Sequence, residues 1–228
     1  MLFPWVGIFE QVRLADVFVH YDDVQLPQGR SFITRVQLKT PAGPQWMTLP
    51  VLKPRLLANI DEIVVDDDRD WRKSHLALLR QLYRTAPFCD DMLALVEEVY
   101  KFGDTNLAII NSRGVERVAQ YFELDCIFRK SSELNVPGKS SERLLAIVQT
   151  LGGSTYITGH GARNYLSHEL FETHDVRVEY MRYEQQPYAQ LYGAFTPFVS
   201  ILDLIANLGR DGRKMLASST VHWKEFLT

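Results

Sequence analysis

Two neighbouring carboxylates, Asp22 and Asp23, end an apolar run in the stretch FVHYDDVQLPQGRSFITR, and Gln25, Arg30 and Arg35 follow closely. A strand that stops on acids fits a polar site at a sheet edge; it fits a strand end and a solvated loop equally well. Adjacent strand residues face opposite sides, so at most one of the two acids points along a ligand face. Asp23 could bind a hydroxyl or a metal, or accept a proton, and Asp22 could orient a helix terminus or pair with an arginine. Arg30 and Arg35 have the fork geometry that clamps phosphate or carboxylate, or pairs with these same acids. Lys53 stands between the strand-like WMTLPV and a proline, where a loop could present it to an anion.

Two later stretches carry similar chemistry. RKSSELNVPGKSSERL sets Ser131 and Ser132 at the end of a predicted strand and Lys139 just before a helix start, with Ser140 or Ser141 as its cap. Helix N-terminal amides attract anions, and a lysine adds to that attraction. The glycine-rich cradle of a P-loop is missing, so the motif does not imply ATP. YITGHGARNYL places Gly159, His160, Arg163, Asn164 and Tyr165 directly after another strand. Glycines there allow close backbone approach to a ligand, and His160 could exchange a proton near neutral pH or simply be an exposed turn residue. Asp23 and His160 are the candidate catalytic bases. Asp22, Gln25, Arg30, Arg35, Lys53, Ser131, Ser132, Lys139, Gly159, Arg163, Asn164 and Tyr165 are the candidate substrate contacts. Arg35, Lys139 and Arg163 are expected to converge on one crevice. No HxxxH or HExxH spacing occurs, and Asp22 and Asp23 are adjacent rather than spaced DxD, so no metal ligand is assigned.

These groups need a frame. VFVHYDD, SFITRVQLKT, QWMTLPV, CIFRKSSEL, STYITG and VRVEYMRY read as strands, with PAGP as a turn between the second and third. VGIFEQVRLAD reads as a short helix, DDDRD as an exposed lead-in to the next, and WRKSHLALLRQLYRTA and CDDMLALVEEVYKF as amphipathic helices. A further helix is interrupted at Gly114, and FVSILDLIANLG closes the series with a glycine stop. Strand, helix, strand with compact joins predicts an α/β fold, a mostly parallel Rossmann-like sheet with flanking helices. The expected organisation is a single domain over residues 1–228 with a helical insertion over residues 71–125.

The chain has 228 residues, of which 46% are hydrophobic and 23% charged, and a formal net charge of -3. That balance supports one sizeable core and no general nucleic-acid surface. Two cysteines, Cys89 and Cys126, are too few for a disulfide framework and are expected to be unpaired. No apolar run approaches the ~20 residues that span a bilayer, and MLFPWVGIFEQ lacks the pattern of a signal peptide. A cytoplasmic protein without membrane insertion or nucleic-acid partner is expected.

The order FPW at 3–5, Gly7, Phe9, Ala15–Asp16, DDVQ at 22–25, Arg35 and the pattern of Trp46, Thr48 and Pro50 resembles the opening of the WbqC-like family of bacterial O-antigen and related sugar gene clusters. Agreement continues through Ser131–Ser132, Gly152, Tyr156, Gly159, Tyr165–Leu166, Tyr188, Gln190 and SILDLIANLG. The resemblance implies a transferase moving an acyl or aminoacyl group onto a nucleotide-linked or carrier-linked sugar, with those sugars and an acyl donor as partners. A nucleotidyl- or glycosyltransferase, for which Mg2+ would be the cofactor, is one alternative; a non-catalytic sugar- or carrier-binding accessory protein is another. The family usually opens with a strand and an HQP.Y segment before FPW. An upstream strand with a histidine beside Asp23 is therefore expected if the gene product continues, and weak turnover if it does not.

Overall fold

Apolar spacing and turn residues set most of the elements. The structure, a computed structural model, describes residues 1–27 and 32–228. In chain order the elements are α1 (Val6–Leu14), β1 (Val17–His20), β2 (Arg35–Thr40), β3 (Gly43–Thr48), α2 (Trp71–Tyr83), α3 (Cys89–Tyr100), α4 (Leu107–Tyr121), β4 (Ile127–Lys130), α5 (Ser131–Leu134), α6 (Ser140–Thr150), β5 (Thr155–Thr158), α7 (His168–Glu172), β6 (Arg177–Arg182), α8 (Ile201–Leu208), β7 (Ser219–His222) and α9 (Trp223–Phe226). The chain divides into two compact units. Met1–Phe9, Asp22–Leu124 and Gln185–Leu216 form the first, and Glu10–Tyr21, Asp125–Glu184 and Ala217–Thr228 the second.

In the first unit, α2, α3 and α4 bury one face each, while α8 is buried from Ile201 to Ala206 because its apolar residues surround the helix. Leu38, Leu79, Met92, Leu107, Val118 and Ile205 are all fully buried there. α4 runs unbroken through Gly114, where a helix break was expected. A Cβ at that position would meet Leu2 Cδ1 at 2.8 Å, so the missing side chain admits the N-terminal segment against the helix. β2 and β3 form the expected hairpin, Arg35 opposite Thr48 and Thr40 opposite Gly43. Gly43 takes a φ of 105° that a side chain would oppose, and Thr40 Oγ1 accepts from the Ala42 N–H at 3.1 Å to close the turn.

In the second unit, β1 pairs in parallel with β4 and β5 in parallel with β6, while β7 adds antiparallel to β6. Its core gathers Leu145, Phe171, Val178 and Tyr180, with Tyr180 stacked on Phe226 at 4.2 Å between ring centroids. The fold is mixed α/β, as expected. Among the described residues, however, the strands form three small sheets with two parallel and two antiparallel pairings, not one mostly parallel Rossmann-like sheet. The short turn between β2 and β3 permits only antiparallel pairing, and β7 lies in a stretch that the sequence did not mark as a strand. Cys89 is buried, Cys126 is half-buried, and both are free. No helix among the described residues is long and apolar enough to cross a membrane.

His75 couples α2 to the end of β3. Its Nε2–H donates to the Thr48 carbonyl at 3.1 Å, and its Nδ1 accepts from the Tyr100 hydroxyl at 3.0 Å. A carbonyl can only accept, which fixes the tautomer. Burial pulls the His75 pKa below its ordinary 6.5, against the opposing effect of the Thr48 carbonyl. Burial also lowers His168, against Glu169 and Glu172. A lowered histidine pKa means that the unfolded chain takes the proton first. The stability from the neutral rings is therefore full above pH ~6.5 and falls as pH drops through that value toward the folded pKa. Urea unfolding should show a lower midpoint on the acid side of this window than on the neutral side, and a smaller difference in His75→Gln. Equal midpoints on both sides would contradict this.

Candidate functional site

The best-defined polar edge belongs to the second unit. β1 and β4 are in register with His20 opposite Lys130, so Tyr21 and Ser131 leave the pair at the same end. The chain enters α5 at once, with Ser131 fully buried and Ser132 half-buried. The loop to α6 then holds Asn135 (φ 52°), Gly138 (φ 107°) and Ser140 (φ 54°) in the left-handed region. Asparagine and glycine visit that region readily, whereas serine does so at a cost.

This loop sets the start of α6. Lys139, not a serine, occupies the cap position, and it makes no side-chain cap hydrogen bond. A lysine has no acceptor to offer. The hydroxyl of Ser141 instead accepts from the Ser167 N–H at 3.0 Å. The expected serine cap is therefore replaced by an N-terminus with an exposed ammonium beside it. Both the helix dipole and the lysine favour an anion there, and only the exposed Glu142 in the same turn opposes it.

Aromatic groups frame the same edge. The buried Arg143 donates from Nε to the Val136 carbonyl at 2.9 Å, and its guanidinium lies 5.0 Å from the Tyr21 ring centroid. Burial raises the Tyr165 hydroxyl pKa, and neighbouring Tyr21 raises it further. Burial pushes Tyr156 up to about 12, with Tyr165, Tyr21 and Tyr180 adding to the shift and a hydrogen bond from Thr158 opposing it. The ends of β1 and β5 and the first turns of α6 thus meet. Tyr165 is 61% exposed, and Arg163 and Asn164 beside it are also exposed. A Cβ at Gly159 would lie 2.7 Å from Gln11 Nε2, the movable end of a flexible side chain, so packing alone does not demand glycine there.

His160 turns elsewhere within the unit. Its Nε2 donates to the Met181 carbonyl at 2.7 Å, which leaves Nδ1 as the ring's acceptor, and the ring lies 5.0 Å from Phe226. It lines a cleft of about 330 Å³ with Arg182, Tyr183, Val221, Glu225 and Phe226. Burial, then the charge of Glu10, pushes Tyr183 up to about 12.

The remaining sequence candidates lie in the first unit. Asp22 is buried and its carbonyl accepts from the Asp61 N–H at 3.0 Å, while exposed Gln25 forms a backbone bridge to Asn59. Asp23 is half-buried. Asp61, which sequence reading missed, has its pKa raised by burial and then by Asp22, Asp23 and Glu62. Its Oδ1 is buried without a hydrogen-bond partner among the described residues. Arg35 lays its guanidinium 4.2 Å from the Trp46 ring centroid, and Lys53 sits on an exposed loop. Arg30 lies outside the described residues. Among those residues, no group of three or more His, Cys, Asp or Glu is arranged to hold a metal ion. Tyr21 and Arg143 were also missed as site residues. The cation-then-serine start of α6 was the one local signal for that neighbourhood, since Tyr21 joins it only through strand pairing.

Arg143→Lys should lower the unfolding free energy by ~1–3 kcal/mol, because a lysine cannot reproduce the Nε–H contact or lie flat on Tyr21. Tyr165→Ala, at an exposed position, should stay within about 0.5 kcal/mol of the parent. Chemical denaturation distinguishes the two, and an unchanged Arg143→Lys would show that the contact has no structural role.

The profile of the WbqC-like protein family matches residues 1–215. The chain is also 32% identical over 211 residues to the uncharacterized protein Rv1507c of Mycobacterium tuberculosis, covering 91% of this chain and 90% of that one. No solved structure gives a significant match. With its matching motifs spread from FPW to SILDLIANLG, the chain belongs to the WbqC-like protein family.

Proposed function

We propose that this protein is a cytoplasmic transferase that binds a nucleotide-linked or carrier-linked sugar and moves an acyl or aminoacyl group onto it in surface-polysaccharide assembly. The observation that carries the reading is the start of α6, where exposed Lys139 replaces a capping side chain beside the edge formed by Tyr21 and Tyr165. Phosphate is common to both kinds of sugar donor, and a helix N-terminus with an adjacent cation suits it. Arg163, exposed on the 3-10 turn after β5, is the second cation this reading assigns to the same charge. The exposed ring of Tyr165 offers a face to a base or a sugar.

In the transfer step, the acceptor hydroxyl or amine bonds to the acyl carbon, the donor's leaving group departs with its electron pair, and a base takes the acceptor proton. His160 is the candidate base of the second unit: its Nδ1 is the nitrogen left to accept a proton, since Nε2–H is committed to Met181, but its ring faces the cleft beside Phe226, so it serves only an acceptor that reaches that cleft.

Nucleotide-sugars and acyl donors should be screened for binding and for donor consumption. Lys139→Ala and Arg163→Ala should each weaken binding of a nucleoside diphosphate sugar about tenfold, the value of one charge-assisted contact. The loss should shrink as salt screens the exposed charges. Unchanged isotherms at low and high salt would reject the anion site. Pyrophosphate or nucleotide release without an acylated sugar would move the assignment to nucleotidyl- or glycosyl transfer. Saturable binding without turnover would make the protein a binding module.

A further inference from the structure

Residues 52–57 of the first unit, LKPRLL, present apolar side chains to water in an unusual way. Leu56 is 80% exposed, Leu57 60% and Leu52 51%, with Val64 at 43% beside them. Both ends of the loop are held. The Leu52 N–H donates to the Val64 carbonyl at 2.9 Å, Val51 bridges Val65, and the Leu26 N–H donates to the Ala58 carbonyl at 2.9 Å. The Ala58 N–H reaches back to the Arg55 carbonyl at 3.3 Å. Leu57 stands at a φ of 64°, a region that a bulky L-residue enters only with strain. The backbone therefore spends strain while displaying two leucines outward.

The loop's own charges, Lys53 and Arg55, are both positive. Lys53 makes no ion pair among the described residues; Arg55 pairs with Glu62 while remaining 74% exposed. With Arg55 paired to Glu62, Lys53 is the loop's uncompensated cation, on a chain whose net charge is -3. Exposed apolar tips between cations are the pattern of a segment that rests in the headgroup region of an anionic bilayer. A loop of six residues cannot supply the ~800 Å² per partner of a stable protein interface, whereas the headgroup–acyl boundary of a bilayer needs no such footprint to take in a small apolar tip.

We propose that residues 52–57 dock this protein on an anionic phospholipid bilayer, with Leu56 and Leu57 entering the headgroup–acyl boundary and Lys53 and Arg55 against the lipid phosphates. This is a surface contact, not a span. It would place the protein where a lipid-carried sugar is presented; that link rests on the proposed function, but the bilayer contact does not.

Vesicle flotation with the full chain tests it, using phosphatidylcholine vesicles with and without phosphatidylglycerol. The parent protein should float with the anionic vesicles and remain in solution with the neutral ones. L56N/L57N should partition at least about tenfold less, through loss of the buried methylene groups. Lys53→Ala should lose about fivefold, as should raised salt. Asparagine tolerates the left-handed region, so the double variant should melt at or above the parent temperature, which separates docking from unfolding. Parent protein that fails to float with anionic vesicles, or L56N/L57N that floats as well as the parent, overturns the proposal. So does a concentration-dependent dimer that the double variant abolishes without any flotation, since the patch would then join two copies. Consumption of a water-soluble nucleotide-sugar, measured without vesicles, tests the transferase reading separately.

Discussion

Asp203 sits on α8 with none of its surface exposed, and a charge so placed is tolerated only if hydrogen bonds and a counter-charge replace the lost water. The Tyr188 hydroxyl donates to it at 2.9 Å, the Tyr83 hydroxyl at 3.1 Å and the Asn207 amide at 3.3 Å. Burial raises its pKa, while Tyr188, Tyr83, Lys39 and Gln190 pull it back. Lys39 is itself buried, with Nζ donating to Gln190 Oε1 at 3.1 Å, to the Gly193 carbonyl at 3.3 Å and to the Ala194 carbonyl. One carboxylate thus ties α8, α2, β2 and the stretch from Tyr188 to Ala194 into a single arrangement. The second unit handles a buried acid in a similar way. Glu10, 1% exposed, accepts from the Ala217 and Ser218 N–H groups at 3.0 and 3.1 Å, with Arg13 alongside.

This requirement gives a physical meaning to several motifs that mark the family resemblance. Tyr188, Gln190 and the aspartate of SILDLIANLG are parts of the buried network around Asp203. FPW meets the same helix start: Ser200 Oγ donates to the Phe3 carbonyl at 2.7 Å, and the Ile201 N–H donates to the Pro4 carbonyl at 2.9 Å. Trp5 packs edge-on against Phe198, and Gly7 is needed because a Cβ there would lie 2.1 Å from the Trp5 ring. Thr48 anchors His75, and Pro50 accepts from the Asp66 N–H. These pieces assemble a scaffold, which is why a resemblance built on them identifies the family more firmly than the chemistry.

The proposed site rests on a different kind of feature. At the edge of the second unit, backbone in the left-handed region, a helix start without a side-chain cap, and an exposed tyrosine occur together. Each departs from the lowest-energy local choice, and departures of that kind tend to gather where a ligand supplies the missing partner. Serine in place of glycine at position 140 and lysine in place of a capping acceptor at position 139 are the two clearest departures.

Local interactions were legible in the chain itself. The all-round apolar character of α8, the amphipathic faces of α2 and α3, the hairpin between β2 and β3 and the serine pair after β4 all depend on residues close in sequence. So were many of the polar candidates, because a strand end followed by glycine or serine is a local pattern. Strand pairing was not. β1 finds β4 across more than a hundred residues, β7 joins β6 from the end of the chain, and short strands of four residues carry too little pattern to name their partners. Nor was the fate of individual polar groups. Ser141 looked like a cap until Ser167 claimed its hydroxyl, His160 looked free until Met181 took its Nε2, and Asp61 became unusual only through burial, with Asp22 and Asp23 beside it. The sequence alone marked the long amphipathic and apolar helices and where reactive groups stand along the chain. The tertiary structure decided which of those groups face one another, because desolvation and hydrogen-bond assignment depend on neighbours brought together only by folding.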